Sequence, residues 1–219
     1  MTQPKIDKEK SKLLADTKFV KLYDLAYQDG MHYYDASRRN SENLLAFKTT
    51  EELKNVKPDA VSGFIIIELP NQEPQLLLFY EYRYPVGQYS LGVPAGLIDP
   101  DDWKQENPLT YAMARELKEE TGIQVTDKDT LEVIEPLAFT TAGLTDESNA
   151  LVKGIIHLNN LDVLNHDGAE GTENFGSFEL VNKEDAIKLF KQGKDDSEHF
   201  YSLITWSALL YFISDLWKK

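Results

Sequence analysis

The side chains best suited to chemistry stand together in residues 115–123, which read Arg-Glu-Leu-Lys-Glu-Glu-Thr-Gly-Ile. At about 100° per residue, Glu116 and Glu120 point toward the apolar face of the helix that this segment predicts. Glu119 lies at the edge of that face, beside Arg115. Because unpaired carboxylates are costly to bury, two of them aimed at a core imply a cation between them. The spacing therefore predicts a metal-binding helix face.

The helix itself is predicted over residues 108–121. Asn107 is a good N-cap, Pro108 suits the first helical position, and Gly122 suits a left-handed C-terminal cap. The apolar face is defined by residues that recur at helical spacing, namely Leu109, Ala112, Met113 and Leu117.

A second conspicuous stretch, Pro94-Ala95-Gly96-Leu97-Ile98-Asp99, lies upstream of the helix. Together the two pieces resemble the Nudix hydrolase signature, whose second half is Arg-Glu-aliphatic-x-Glu-Glu-x-Gly-aliphatic and matches here at every fixed position. The first half of the signature, a glycine and a spaced glutamate, does not match. Position 102 holds aspartate, and the candidate Glu106 lies at a different spacing. We interpret residues 100–105 as an inserted polar loop.

Further segments resemble the ADP-ribose pyrophosphatase branch of this family. They are the β-rich N-terminal part, residues 81–85 (Glu-Tyr-Arg-Tyr-Pro), residues 141–147 and the pair Glu173-Asn174. Ala142 stands where that branch usually has proline. The resemblance implies hydrolysis of ADP-ribose to AMP and ribose 5-phosphate. It leaves open another nucleotide sugar such as a GDP-sugar, or a Nudix-fold module that binds a ligand without catalysis.

The resemblance also implies a cofactor, Mg²⁺ or Mn²⁺, because carboxylates are the ligands that hard cations prefer. The implied ligands are Glu116, Glu119, Glu120 and the carbonyl of Ala95. Arg115 would orient the carboxylates, and Gly96 would belong to the substrate-binding stretch.

The remaining site residues implied by the resemblance each have a simpler reading. Glu173 is the first candidate for the general base and Glu170 the second; either could instead be a solvated loop glutamate. Arg83 is a candidate phosphate ligand or a surface ion pair. Arg38 and Arg39 would reach substrate across a dimer, or they are a solvated pair.

The elements that must position these residues suggest an α/β fold, a Nudix-like α/β/α sandwich around a mixed sheet. A charged lead-in at residues 1–16 predicts a short helix near 8–15. Residues 17–49 predict a small antiparallel β unit around the Asp29-Gly30 turn, with a third strand at 44–49. The final helix is predicted at about 197–217. We predict two domains, a β-rich unit at 1–57 that forms a homodimer and a hydrolase domain at 58–219.

Composition limits the function classes. A formal net charge of −14 argues against nucleic acid and anionic membranes as partners, whereas divalent metal ions would still let a nucleoside diphosphate bind. The chain has no cysteine, which excludes disulfides, thiolate metal sites and cysteine nucleophiles. No signal peptide or membrane span is expected, and a cytoplasmic enzyme is the simplest expectation.

Overall fold

The computed structural model describes residues 4–169 and 171–218. The chain falls into two compact units, one formed by residues 1–59 with 137–149 and the other by residues 60–136 with 150–219. The predicted division of the chain into two domains at residues 57 and 58 stays a prediction. No helix among the described residues is long and apolar enough to cross a membrane.

The first unit contains an antiparallel sheet of three strands, β1 (Ile6–Asp16), β2 (Lys21–Tyr27) and β3 (Met31–Ser37). Gly30, at φ 76°, supplies the left-handed residue of the predicted turn between β2 and β3. The short helix predicted near residues 8–15 is wrong, because that segment pairs along β2, with Leu13 opposite Tyr23. Pairing with a neighbouring strand overrides the helix propensity of its lysines, leucines and alanine.

The third strand predicted at 44–49 is also wrong. A 3₁₀ turn spans Leu45–Phe47, and a short helix, α1, spans Thr50–Leu53. Thr49 and Glu52 form a reciprocal capping box that starts this helix. Leu44 is fully buried beside Tyr23 and Leu25 and anchors the segment to the unit's core.

The second unit is organised around a mixed sheet with the strand order β10-β5-β4-β9-β8. Its strands are β4 (Ala60–Glu68), β5 (Gln75–Arg83), β6 (Gln88–Gly92), β7 (Ala95–Leu97), β8 (Thr130–Phe139), β9 (Ser148–His157) and β10 (Phe175–Val181). The tips of β8 and β9 fall in the first unit. Backbone hydrogen bonds from Asp59 to Ser148 and from Leu158 to Glu68 show that β4 and β9 run parallel.

Helices cover both faces of this sheet: α2 (Pro108–Thr121) on one face, and α3 (Lys183–Gln192) with α4 (Leu203–Ile213) on the other. Ile65 and Ile67 of β4 lie in one core with α2, whereas Phe64 and Ile66 lie in the other with α4. A strand buried on both faces needs apolar residues throughout, which explains the unbroken run in β4. The α/β class is thus confirmed. The last helix is shorter than predicted, because Ser202 caps its start.

The edges of β4 and β5 bring the upstream motif to the helix. The two strands pair at Ile66 with Leu76 and at Ile67 with Gln75. Beyond that, β4 pairs with β7 at residues 95–97, and β5 pairs with β6 from Phe79 onward. The residues around Gly96 therefore enter the sheet beside α2.

Candidate active site

Helix α2 presents its glutamates as the sequence predicts. Glu116 and Glu120 are only 7% and 5% exposed, and Lys118 faces solvent. The helix begins at Pro108 and ends at Gly122, which has φ 73° and donates its N–H to the carbonyl of Lys118. Asn107 holds the N-cap position, but its side chain makes no capping hydrogen bond.

Glu116 lies directly over Gly96. A Cβ built on Gly96 would stand 2.0–2.2 Å from the carboxyl atoms of Glu116. Only a residue without a side chain leaves room for the carboxylate there. This contact explains why glycine is needed in the upstream stretch, even though Gly96 has no unusual backbone conformation.

Glu120 is held by the same segment of backbone. The N–H of Ala95 donates to Oε2 of Glu120 at 2.9 Å. Residues 95 and 96 in β7 therefore fix both buried glutamates, one by a hydrogen bond and the other by the space it needs. The role predicted for the carbonyl of Ala95 stays a prediction.

Arg115 joins the helix to the loop that follows β7. Its guanidinium is 2.8 Å from Oε1 of Glu116 and 2.8 Å from Oε2 of Glu119. It also donates to the carbonyl of Leu97 at 2.9 Å and to Asp102 at 3.0 Å. Burial alone would lower the pKa of Arg115, but the hydrogen bond to Asp102 and the neighbouring carboxylates raise it above its usual value. The guanidinium therefore stays charged and orients the carboxylates around it.

Asp102 is the loop residue that meets Arg115, which changes how the inserted segment is understood. Asp102 is 2% exposed, starts a 3₁₀ turn at Asp102–Lys104 and accepts a hydrogen bond from the N–H of Asp99 at 2.9 Å. Glu106, by contrast, is exposed. Asp102, within the stretch interpreted as an insertion, therefore makes the buried ion pair with Arg115, and the insertion itself stays a prediction.

Glu81 on β5 is a site residue that sequence reasoning missed. Its carboxylate is 2.6 Å from the guanidinium of Arg83. Burial raises the pKa of Glu81, Arg83 opposes the rise, and repulsion from Glu173 adds to it. The available signal was alternation along β5: Phe79 and Glu81 share a face, and Phe79 packs on His166. The ion pair shows what Arg83 contacts, and its role toward phosphate stays a prediction.

Glu173 precedes β10 in an exposed position, yet it acts electrostatically on the buried glutamates. Its charge raises the pKa of Glu81, Glu116 and Glu120. Glu170, the second candidate for the base, lies outside the described residues.

The buried carboxylates carry unfavourable charge. Burial raises the pKa of Glu116 to about 7 against the opposing charge of Arg115, with Glu119 and Glu173 adding to the rise. Burial also raises the pKa of Glu120 well above its usual value; the Ala95 hydrogen bond opposes this, and repulsion from Glu116 and Glu81 adds to it. A divalent cation would offset the cost of burying these charges and the repulsion between them.

The donor set fits a hard divalent cation, because it consists of buried carboxylate oxygens beside a strand backbone. Within residues 4–169 and 171–218, no three His, Asp or Glu side chains are already arranged to hold a metal ion. Contacts with Arg115 and with the N–H of Ala95 occupy Glu116, Glu119 and Glu120 instead.

Arg38 and Arg39 both lie in the first unit and are both paired. Nε of Arg38 is 2.7 Å from Glu147, and it remains partly exposed. Arg39 is nearly buried, 2.7 Å from Asp59 and 3.3 Å from Asp146. The guanidinium of Arg39 is thus held by two carboxylates of its own unit, and we leave it out of the proposed substrate contacts.

Comparisons with known proteins show which family the chain belongs to. The family model described as NUDIX domain matches residues 58–204. A Caenorhabditis elegans protein named "Putative nudix hydrolase 2" is 32% identical over 167 residues, which is 74% of this chain and 61% of that protein. An uncharacterized Nudix hydrolase of Schizosaccharomyces pombe is 29% identical over 153 residues, 68% of this chain and 69% of its own. This chain therefore spans less than two thirds of the worm relative's length.

A solved structure described as the crystal structure of ADP compounds hydrolase covers 100% of this chain and 96% of its own, with a TM-score of 0.58 and 17% identity. At that identity the likeness shows the fold. The family match and the worm relative together show that the chain belongs to the Nudix family. Enzymes of this family generally use a divalent metal ion.

Proposed function

We propose that this protein is a metal-dependent hydrolase of the diphosphate bond in ADP-ribose or a related nucleoside diphosphate sugar. The products are AMP and a sugar phosphate. The observation that carries the proposal is the burial of Glu116 and Glu120 on one face of α2, both fixed by β7 and both with a raised pKa.

The residues that would hold Mg²⁺ or Mn²⁺ are Glu116, Glu119 and Glu120, with the carbonyl of Ala95 as a backbone ligand. When bound, the ion neutralises the diphosphate and makes a water molecule more acidic. Arg115 holds Glu116 and Glu119 in place through its two ion pairs. Asp102 in turn fixes Arg115 from the loop side.

The reaction needs a group that accepts a proton from the attacking water. The water oxygen bonds to one phosphorus, the bond from that phosphorus to the bridging oxygen breaks, and the second phosphate leaves with that oxygen. Glu173 is the proposed base, because it is exposed to incoming water yet close enough to act on Glu81, Glu116 and Glu120. Arg83 beside Glu81 is the proposed phosphate ligand.

An ADP-containing substrate is supported by the branch resemblance and by the description of the structural neighbour. Ala142, which replaces a usual proline of that branch, keeps a GDP-sugar as the alternative. The discriminating experiment is phosphorus NMR of the protein with Mg²⁺ and ADP-ribose, GDP-mannose or other nucleoside diphosphate derivatives, with and without chelator.

We expect AMP and ribose 5-phosphate to form only without chelator. Glu120→Gln should reduce turnover at least about 100-fold while the protein stays folded, because losing a direct metal ligand costs no less than losing a partner that orients one. Glu106→Gln is the matched control, because Glu106 is exposed and is not among the proposed metal, substrate or base residues. Binding of ADP-ribose in Mg²⁺ without product would instead indicate a non-catalytic module, and a fully active Glu120→Gln would refute the site.

We further propose that the protein is a homodimer that associates through its first unit. Large apolar side chains remain exposed on and between its strands, among them Leu14, Phe19 and Tyr34, which are 51%, 64% and 57% exposed. Light scattering at micromolar concentration should give a dimer for the wild type and for Leu216→Glu, and a monomer for Phe19→Glu. A monomeric wild type would refute this proposal.

A further inference from the structure

The segment between β9 and β10 carries Glu173, and its first half lies against the C-terminal end of α2. The N–H of Asn165 donates to the carbonyl of Thr121 at 3.1 Å. A Cβ built on Gly168 would stand 2.4 Å from the carbonyl oxygen of Glu119, so the backbone approaches the helix closely there. The last carbonyl groups of a helix lack partners within the helix, and this segment supplies a hydrogen-bond donor to the carbonyl of Thr121.

His166 adds two contacts that the mechanism above does not use. Its Nδ1 is 2.5 Å from the carbonyl oxygen of Glu120, and its Nε2 is 2.9 Å from the carbonyl oxygen of Gly176. Carbonyl oxygens only accept, so in each contact the ring nitrogen is the donor.

Aromatic neighbours fix the orientation of the His166 ring. The ring stacks on Phe178 with a centroid distance of 4.0 Å and on Phe175 at 4.8 Å, and Phe79 meets it edge-on at 5.4 Å. Packing thus fixes the plane of the ring, and the two hydrogen bonds join it to the carbonyls of Glu120 and Gly176.

The two carbonyls belong to different elements of the site. Glu120 is one of the two buried glutamates of α2, and Gly176 stands at the start of β10, just after the loop that holds Glu173. His166 therefore connects the catalytic helix to Gly176, which follows Glu173 at the start of β10. We propose that His166 is a positioning residue that holds the described residues before β10, and with them Glu173, in register with the glutamates of α2. The proposal rests on the role of Glu173 in the proposed function.

Two substitutions separate hydrogen bonding from packing. His166→Phe keeps an aromatic ring between Phe175 and Phe178 and removes both hydrogen bonds. His166→Gln keeps one amide donor for one of the two carbonyls. The matched control is His157→Gln, because His157 contacts Glu68 and Asp129 at the end of β9 and does not touch the segment.

The readouts are kcat and KM for ADP-ribose with Mg²⁺, and hydrogen exchange of residues 167–175 followed by mass spectrometry. We expect His166→Phe to lower kcat about 10- to 100-fold with KM changed less than about threefold, since misplacing a catalytic group costs rate more than binding. His166→Gln should lie between that variant and the wild type. Exchange should rise in 167–175 and stay unchanged in β4 and α4.

Three results would overturn the proposal: a kcat of His166→Phe within twofold of the wild type, a change in KM alone, or exchange that rises across the whole second unit. A wild-type protein that cleaves no substrate would refute the proposed function instead. The exchange measurement would still test whether His166 holds the segment.

Discussion

Gly96→Ala should separate activity from folding. The new Cβ would lie 2.0 Å from the carboxyl carbon of Glu116, whereas real Cβ contacts are not found under 3.0 Å. The carboxylate must therefore move by about 1 Å, the difference between those two distances. The atoms displaced are the far end of a flexible side chain, so the strand backbone does not have to move.

The expected effects on folding nearly cancel. Forcing Glu116 away from its preferred rotamer costs about 0.5–1.5 kcal/mol. Replacing a glycine of ordinary φ by alanine gains about 0.4–1 kcal/mol through the unfolded chain. The free energy of unfolding should therefore change by less than about 1 kcal/mol.

The expected effect on rate is much larger. A displacement of about 1 Å in a catalytic constellation can cost about 100-fold in rate, or about 2.7 kcal/mol of transition-state stabilisation. The assays are metal-dependent product formation, followed by phosphorus NMR, and urea unfolding of the same samples.

Gly92→Ala in β6 is the matched control, because its Cβ would meet the nearest atom, the carbonyl oxygen of Phe79, at an ordinary 3.7 Å. It should keep both stability and turnover. The reasoning fails if Gly96→Ala retains more than a third of the wild-type kcat, or if Gly92→Ala loses as much.

Three further predictions follow from the buried charges. Asp102→Asn should lower the free energy of unfolding by about 1–3 kcal/mol and lower kcat, because it weakens the buried contact with Arg115; unchanged urea midpoints and kcat would contradict this. Glu81→Gln should raise the Mg²⁺ concentration needed for half-maximal turnover about tenfold, and an unchanged Mg²⁺ titration would remove Glu81 from the site. Burial, with added repulsion from Asp146, raises the pKa of Asp35 to about 6. The folded state therefore binds this proton more tightly than the unfolded chain does. As pH rises from 4 through 6, the free energy of unfolding should fall by up to about 3 kcal/mol. Asp35→Asn should abolish this decrease, which is measured as the change in urea midpoint between pH 4 and pH 8. An equal change in the wild type and the variant would refute the prediction.

Local patterns in the sequence were enough to predict much of the site. The helix at 108–121 is confirmed with its start at Pro108 and its left-handed cap at Gly122, because these signals act within one or two turns. The same 3.6-residue period predicted that Glu116 and Glu120 turn inward and Lys118 outward, as observed. The largely apolar run of residues 60–69 is likewise typical of a buried strand, and β4 is buried along nearly its whole length.

Residues joined only by the tertiary structure were beyond such patterns. Asp102 meets Arg115 because a folded loop carries it back to the helix, and loop paths are not periodic. Glu81 comes close enough to act on Glu120 because β5 and β7 both pair with β4, which is a matter of strand order.

The sequence alone thus determined which carboxylates lie on one helix face, since helix geometry is set by neighbours in the chain. The tertiary structure decided which partners meet them. Gly96, Ala95 and His166 are fixed against α2 by strand pairing, close backbone approach and ring stacking between segments far apart in sequence.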